Sequence, residues 1–565
     1  MKKLINDVGS VVREALEGLV ALHPQLALLD GELTVVRADL EAFRASGRVA
    51  ILTGGGAGHE PAHAGYVGEG MLTAAVSGDV FASPSTDAVY AGLKAIATPA
   101  GVLVIVKNYT GDRLNFGLAV EMARAEGIPC ELVVVDDDAA LGTAEETAGR
   151  RGIAGTVLVH KVAGAAAAAG KPLAEVAEAA RTAIAQVATM GVALSPCTVP
   201  AAGKPNFTLG DDEMELGLGI HGEAGVKRTT LRPAREIVAT LLDTVIADRR
   251  IAPGQSVALL VNNLGATPPM EMTIVARNAL ANLRGRGISV ARAWCGTFLS
   301  AIDMAGISLS VLAVDPDLLA ALDAPTTAPA WPGQGGALPD AVTTLPVAAA
   351  EAAELTGTGP ATPDGFIETL TFACRAIIAA EPTLTEMDRH VGDGDIGNSL
   401  AAGARAMIDR MDAWRGKPLD GVLLDMGLVL RKAIGGTSGP LYSAFVIAAA
   451  RQLQAGPADA EAFRRGFGAG TQSIMSLGGA APGDCTMVDA LAPAAEALES
   501  ATGDLAALIA VAANAARAGA EATAQMQPRR GRSSYIGDRA IGFPDPGAVA
   551  VAMWLDAVNT GRDED

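Results

Sequence analysis

Between residues 49 and 315, short runs of consecutive apolar residues alternate with longer stretches in which apolar positions recur every three or four residues. Val49–Thr53, Val102–Val106, Leu132–Val135 and Val257–Val261 are of the first kind, bounded by Gly, Asn or Asp. Such runs predict central β-strands covered by helices on both faces. Ala88–Ala97, Leu114–Ala125, Met270–Leu283 and Arg235–Arg249 are of the second kind and predict amphipathic helices between the strands, the charges of the last forming a solvated face. The alternation predicts an α/β module.

Between Pro325 and Asp364 the composition shifts to Ala, Pro, Thr and Gly and periodicity fades. That predicts a linker, in which Trp331 is expected to dock on a neighbouring surface. Beyond it, Phe366, Leu370, Cys374 and Ile377 repeat at helical spacing, as do Met487, Leu491 and Leu498, and an all-α domain is predicted. The expected organisation is an α/β module over 1–324, a linker over 325–364 and a helical domain over 365–565. No sequence repeat relates the two halves.

A chain of 565 residues exceeds one hydrophobic core and suggests about three or four domains. The net charge of -20 argues against nucleic acid as a partner, since such binders present a basic face. Cys130, Cys197, Cys295, Cys374 and Cys485 are odd in number, scattered and never in a CxxC pair. They argue against a disulfide framework or a zinc site and fit a reducing cytoplasm. The N-terminus meets acidic residues before any apolar run forms, and no uncharged apolar stretch of about 18 residues occurs, so neither export nor membrane insertion is expected.

Candidate chemistry concentrates in glycine-rich stretches. Asp388, Asp393 and Asp395 do not follow helical rows, so a loop freed by Gly392, Gly394 and Gly397 must wrap them. Taken alone, they fit a hard-cation site such as Mg²⁺ and a solvated Asx-turn loop equally well. Thr53-Gly-Gly-Gly-Ala-Gly-His59-Glu-Pro61 follows a strand, yet meets neither the dinucleotide nor the Walker fingerprint, and Asp79 is a decoy for the ribose acid. A histidine there predicts a small polar pocket lined by backbone amides and one imidazole. Lys107-Asn-Tyr-Thr-Gly-Asp112 and Gly219-Ile-His221-Gly-Glu occupy similar loop positions, and His221 could attack a carbonyl while Asp112 or His59 accepts a proton. His23, His63, His160 and His390 read as structural. Gly435-Gly-Thr-Ser-Gly439, Gly478 to Met487 and Gly531 to Gly547 add phosphate-friendly loops.

Together, Gly-Gly-Gly-Ala-Gly-His-Glu-Pro, Lys-Asn-Tyr-Thr-Gly-Asp, Gly-Ile-His-Gly-Glu, Gly-Asp-Gly-Asp, Gly-Gly-Thr-Ser-Gly-Pro and the Asp-Pro-Gly tail strongly resemble the dihydroxyacetone kinase family, in its single-chain ATP-dependent branch. The resemblance implies two α/β subdomains that bind a ketose, then a barrel of antiparallel helices with Mg²⁺ and ATP at one end. It implies that His221 holds the ketone covalently as a hemiaminal. Gly56, Ala57, Gly58, His59, Lys107 and Asp112 would line the sugar site, His59 and Asp112 being candidates to deprotonate the accepting hydroxyl. Asp388, Asp393 and Asp395 would hold magnesium. Ile396, Gly397, Asn398, Ser399, Thr437, Ser438, Gly478, Met487, Arg532, Asp545, Pro546 and Gly547 would contact the nucleotide. The chain departs from the pattern at Ala57, Ala224, Ile396, Cys485 and Phe543, which leaves the ketose open between dihydroxyacetone and an analogue such as erythrulose. A cytoplasmic homodimer, with domains exchanged between chains, is expected from the resemblance. The alternatives are an FAD-AMP lyase (cyclising) activity of the helical domain and a non-catalytic ketose sensor.

Overall fold

The computed structural model describes residues 2–141, 149–205, 207–223, 225–333, 335–346, 357–453 and 457–561. Ala224 and the predicted-linker residues 347–356 lie outside the described residues. The chain divides into two compact units, Met1–Thr344 and Leu345–Asp565.

The first unit holds two six-stranded sheets. Strands β1 (Leu26–Leu28), β2 (Thr34–Arg37), β3 (Ala50–Ala57), β4 (Ala74–Val80), β5 (Val102–Lys107) and β6 (Cys130–Val135) form one, in the order β1-β2-β4-β3-β5-β6. Its β4-β3-β5-β6 portion is parallel. Strands β7 (Val187–Ala193), β8 (Glu213–Leu216), β9 (Lys227–Thr230), β10 (Ser256–Asn263), β11 (Ser289–Gly296) and β12 (Gly306–Ala313) form the other, ordered β11-β10-β12-β7-β8-β9. Among its described strands, β10 and β11 pair in parallel and the other neighbours antiparallel.

The apolar runs are continuous because both faces are covered. Ala50, Leu52, Val102 and Val104 pack with Val89, Leu93 and Phe116 of helices Thr86–Ile96 and Thr110–Ala125. Their neighbours Ile51, Leu103 and Ile105 turn the other way, onto Val157, Val162 and Val176 of helices Thr156–Ala168 and Leu173–Gln186. Alternation of side chains along a strand makes this division automatic. Ala258, Leu260 and Leu312 of the second sheet belong to that same core.

Two differences from the sequence reading matter. The strand expected to end at Thr53 continues to Ala57, through residues read as a turn. A Cβ on Gly54 would lie 2.2 Å from the Val76 carbonyl oxygen and 2.9 Å from Phe116 Cζ, so glycine serves here for close approach and not for turning. The chain after Pro325, expected as linker, still lies on the first unit: Thr327 and Ala330 donate to the carbonyls of Glu69 and Gly65, and Trp331 is buried with its ring 4.9 Å from that of Trp294.

In the second unit, helices Asp364–Ala379, Ile396–Ile408, Leu419–Ala433, Ser438–Leu453, Ala460–Gly478, Val488–Ser500, Leu505–Ala522 and Pro546–Thr560 form a closed ring, each touching the next and the last touching the first. The ring encloses an apolar cavity of about 630 Å³, lined by Leu370, Met426, Phe445 and Trp554 among others. Helix Glu381–Val391 packs beside it and leads into the acidic loop. Among the described residues one segment, Leu505–Gln525, is long and apolar enough to cross a membrane, and its Leu508, Ile509, Ala512 and Ala516 are buried.

Candidate functional site

Three of the sequence clusters meet in the first unit. From β3 the chain passes through Gly58, at φ +96°, to the fully buried His59. Nδ1 of His59 lies 2.9 Å from the Ser300 carbonyl. A carbonyl only accepts, so Nδ1 carries the proton and Nε2 keeps its lone pair. Burial, and then the charge of Lys107, push this imidazole well below its ordinary pKa, which keeps it neutral.

His221 is held in the same tautomer by a carboxylate. Its Nδ1 lies 2.8 Å from Glu223 Oε1, and its backbone N–H donates to Glu223 Oε2 at 3.0 Å. Burial alone would raise the Glu223 carboxyl, but the hydrogen bond and charge of His221 prevail and hold it at about 2. The His59 and His221 rings are 4.9 Å apart. Phe81 stacks on His59 at 5.0 Å and meets His221 at 5.2 Å, while the Tyr109 ring meets His221 edge-on at 4.7 Å. Phe81 and Ile302 are left-handed, at φ 61° and 57°, which is rare for bulky or β-branched residues and typical of positions that a functional site over-determines.

Lys107 ends β5 and is fully buried, with no hydrogen-bond partner for Nζ among the described residues. Burial lowers its pKa against the opposing charges of Asp112, Glu223, Asp137 and Glu60. Asp112 is buried in the first turn of helix Thr110–Ala125. A Cβ on Gly55 would lie 3.1 Å from Lys107 Nζ and 3.5 Å from Asp112 Oδ2, so the missing side chain leaves room for that pair. Gly56 and Gly58 allow Phe81 and Ala82 to close in, since a Cβ would come within 2.6 Å of Ala82 N and 2.8 Å of Phe81 Cε1, respectively. Ala57 packs in the apolar core beneath. His63 and His160 pair in that core, ring centroids 5.2 Å apart.

The second unit carries the acidic loop. The stretch from Asp388 to Ser399, read as a loop throughout, is mostly helical: Asp388 lies in the last turns of helix Glu381–Val391, and Asp395 precedes helix Ile396–Ile408. Only Gly392 to Asp395 turns the chain. Buried Asp388 closes the turn by accepting from the backbone N–H groups of Asp395 at 2.9 Å and Ile396 at 3.2 Å. Carboxylate oxygens of Asp388, Asp393 and Asp395 lie within 4.8 Å of one another. Arg532 is ion-paired to Asp393 and lies 3.4 Å from Asp395. Three hard oxygen donors gathered around one cationic group fit Mg²⁺.

The remaining predicted positions surround this loop at helix ends. Ser399 faces Gly435, whose Cβ would be 4.0 Å from Ser399 Oγ, and Thr437 precedes helix Ser438–Leu453. Gly478 ends its helix, and Met487 precedes helix Val488–Ser500 and contacts Gly547. Asp545 caps helix Pro546–Thr560 through the Ala548 N–H at 2.7 Å. Burial drives its carboxyl up to about 7, the charges of Asp489 and Asp388 adding to the rise against the Ala548 hydrogen bond. Helices starting at Ile396, Ser438, Val488 and Pro546 thus put several amino ends around one acidic loop, an arrangement suited to phosphates bridged by a cation. His390, read as structural, stacks on Phe543 at 4.8 Å beside it.

Sequence reasoning passed over Glu223, Phe81 and Tyr109 in the first unit and Asp489 in the second. Asp489 shapes the loop before Met487 by accepting from the N–H groups of Gly483 and, at 2.8 Å, Thr486. Glu223 had a signal, a carboxylate two residues after a histidine between glycines. Phe81 had none.

Comparison with known proteins places these two units in a known context. Residues 17–330 match the Dak1 domain and residues 390–560 the DAK2 domain. A triokinase/FMN cyclase from Bos taurus is 44% identical over 574 residues, covering 99% of this chain and 98% of that protein. A dihydroxyacetone kinase from Pichia angusta is 35% identical over 605 residues, covering 98% and 97%. Among solved structures, the dihydroxyacetone kinase from C. freundii in complex with AMP-PNP and Mg²⁺ superposes with a TM-score of 0.64 at 34% identity, covering 99% of each chain.

Proposed function

The chain belongs to the dihydroxyacetone kinase family, and from that premise we propose that it phosphorylates the terminal hydroxyl of a short-chain ketose, dihydroxyacetone or a close analogue such as erythrulose. It is an ATP-dependent phosphotransferase, with Mg-ATP as phosphoryl donor. The observation that carries the proposal is that one chain holds both halves of the chemistry. One half is a histidine pair with both Nδ1 atoms engaged, and the other is a carboxylate triad with oxygens within 4.8 Å.

In this reading His221 Nε2 attacks the ketone and holds the sugar as a hemiaminal, between the walls of Gly56, Ala57 and Gly58. Glu223 is a positioning residue that keeps the proton on Nδ1. His59 Nε2, or Asp112 beside Lys107, takes the proton of the accepting hydroxyl. Asp388, Asp393 and Asp395 would hold Mg²⁺, which when bound neutralises the charge of the triphosphate. Ile396 to Ser399, Thr437, Ser438, Gly478, Met487, Arg532 and Asp545 to Gly547 supply amides and a guanidinium for the nucleotide. A loose phosphoryl transition state asks mainly for this positioning and charge neutralisation. A cytoplasmic homodimer, with domains exchanged between chains, completes the proposal.

The name of the bovine relative supports a second reading, in which the helical domain cyclises FAD to a cyclic flavin phosphate. A pure ketose sensor would have no use for the aspartate triad. Incubation with Mg-ATP and dihydroxyacetone or either erythrulose enantiomer should yield a ketose phosphate and ADP in equal amounts, with glyceraldehyde as the aldose comparison. Turnover of FAD alone would favour the second reading, and no phosphorylation of any ketose overturns the first.

Glu223→Gln is expected to lower kcat/KM roughly 10²- to 10⁴-fold, as loss of a carboxylate that orients a catalytic imidazole does elsewhere. The pH profile of kcat/KM should change as well, because the carboxylate that fixes the Nδ1 proton is gone. The contribution of this carboxylate to folding should be complete above the ordinary value of 4.5 and lost as pH falls through about 2. An unchanged profile would remove Glu223 from its positioning role.

A further inference from the structure

Tyr109 stands between the two glycine-rich clusters with no assigned task. Its backbone N–H donates to the Lys107 carbonyl at 2.7 Å and its carbonyl accepts from Arg113, which fixes the residue at the entrance to helix Thr110–Ala125. Its hydroxyl oxygen is shut off from solvent and has no hydrogen-bond partner among the described residues. Leaving a buried hydroxyl unpaired costs about 1–3 kcal/mol, so such a group in a site is usually kept for something that arrives later. Its ring meets the His221 imidazole edge-on at 4.7 Å. Burial, followed by the charge of Glu223, keeps the phenol protonated well beyond its ordinary range. It is therefore a donor throughout the physiological range.

Hemiaminal formation creates a demand for such a donor. When an imidazole nitrogen adds to a ketone, the carbonyl oxygen gains a negative charge that must be stabilised and then protonated. Lys107 is placed for a different duty, since its Nζ sits with Asp112 Oδ2 around the space left by Gly55. His59 has its proton on Nδ1 against the Ser300 carbonyl, so its Nε2 has none to give to that oxygen.

We propose that Tyr109 is a catalytic residue of the ketose-trapping step, donating its phenolic proton to the ketone oxygen as His221 Nε2 bonds to the carbonyl carbon. The inference rests on the covalent-holding reading above. In the step, the Nε2 lone pair forms the N–C bond and the C=O π pair moves to oxygen, which takes the proton of Tyr109. The new bond leaves the His221 ring an imidazolium whose Nδ1 proton stays against the Glu223 carboxylate, and Tyr109 stays a phenolate until the reverse step returns its proton. The net change is one proton moved from Tyr109 to the sugar oxygen, with no outside acid or base. Reversal of the same path releases the product.

The test uses the full-length protein, dihydroxyacetone carrying ¹³C at its carbonyl carbon, and Tyr109→Phe, which keeps the ring that packs on the core. Carbon NMR of the wild type should show the label moving from a ketone to a saturated-carbon environment, and His221→Ala should abolish that signal. In Tyr109→Phe the rate of adduct formation should fall roughly 10²-fold, while weak competition by glycerol, which has no carbonyl to trap, stays unchanged. Loss of glycerol competition together with the adduct would mark a structural role and overturn the proposal. A wild-type adduct formed equally fast by the variant overturns the role of Tyr109 alone. Absence of any adduct in the wild type overturns the covalent reading and this step with it.

Discussion

His221→Ala is expected to abolish covalent trapping of the ketose and to lower kcat/KM by at least about 10²-fold, the scale at which loss of substrate placement is felt. Nucleotide binding should be untouched, because every group assigned to the nucleotide belongs to the second compact unit. The fold should survive as well. His221 is only half-buried and its side chain is not part of an apolar core, so the change in thermal midpoint should be small. The measurement is steady-state kinetics alongside Mg-nucleotide titration, and unchanged turnover would sink the covalent role.

Asp393→Ala carries the second large effect. Of the three aspartates, Asp393 and Asp395 are exposed, whereas Asp388 is buried and its carboxylate holds the turn through two backbone N–H groups. Asp393 is therefore the clean probe of metal binding. Its loss should weaken Mg-nucleotide binding on the order of 10²-fold, read by calorimetry, with no change in ketose trapping. Asp388→Ala should do the same and in addition cost about 1 kcal/mol of stability, because it removes the acceptor of two partly buried backbone N–H groups. Retention of full nucleotide affinity in Asp393→Ala would remove the triad from the phosphoryl-transfer chemistry. Mixing the His221→Ala and Asp393→Ala chains then reports on assembly: recovered activity means that complete sites form across chains, and no recovery means that each site forms within one.

The two site halves differ in how far the chain itself disclosed them. His59, Lys107, Asp112 and His221 could be singled out as candidates because each sits in a glycine-rich stretch at or near the end of a strand or in a loop, where polar side chains have no packing duty. Glu223 was hidden in plain text, since a carboxylate two residues from a histidine is common. Only the turn that bends its Oε1 back to Nδ1 gives it meaning. Tyr109 stood inside the Lys107 to Asp112 motif without being singled out, and Phe81 had no motif at all. Phe81 reaches His59 because β3 and β4 are adjacent in one sheet, and strand order is a property of long-range pairing.

The aspartate loop was misjudged in form. Glycines at 392, 394 and 397 suggested a flexible wrap, yet Gly397 lies inside a helix, where a Cβ would come within 2.3 Å of the Glu381 carbonyl oxygen. That glycine allows two helices to touch. A single letter does not distinguish a glycine needed for its backbone freedom from one needed for its missing side chain.

Local sequence thus determined what local physics controls: the strand and helix periods, the change from an α/β to an all-helical module, and the polar residues placed where a sheet or helix ends. Tertiary structure alone decided which of those ends share a site. It alone decided which glycines are turns and which are contacts, and how far the first unit extends past Pro325 to bury Trp331. The physical reason is range. Periodicity and capping act within a few residues, whereas the meeting of His59 with His221, or the action of the Asp388 charge on Asp545, joins positions far apart in the chain. Such meetings are set by the packing of whole sheets and helices.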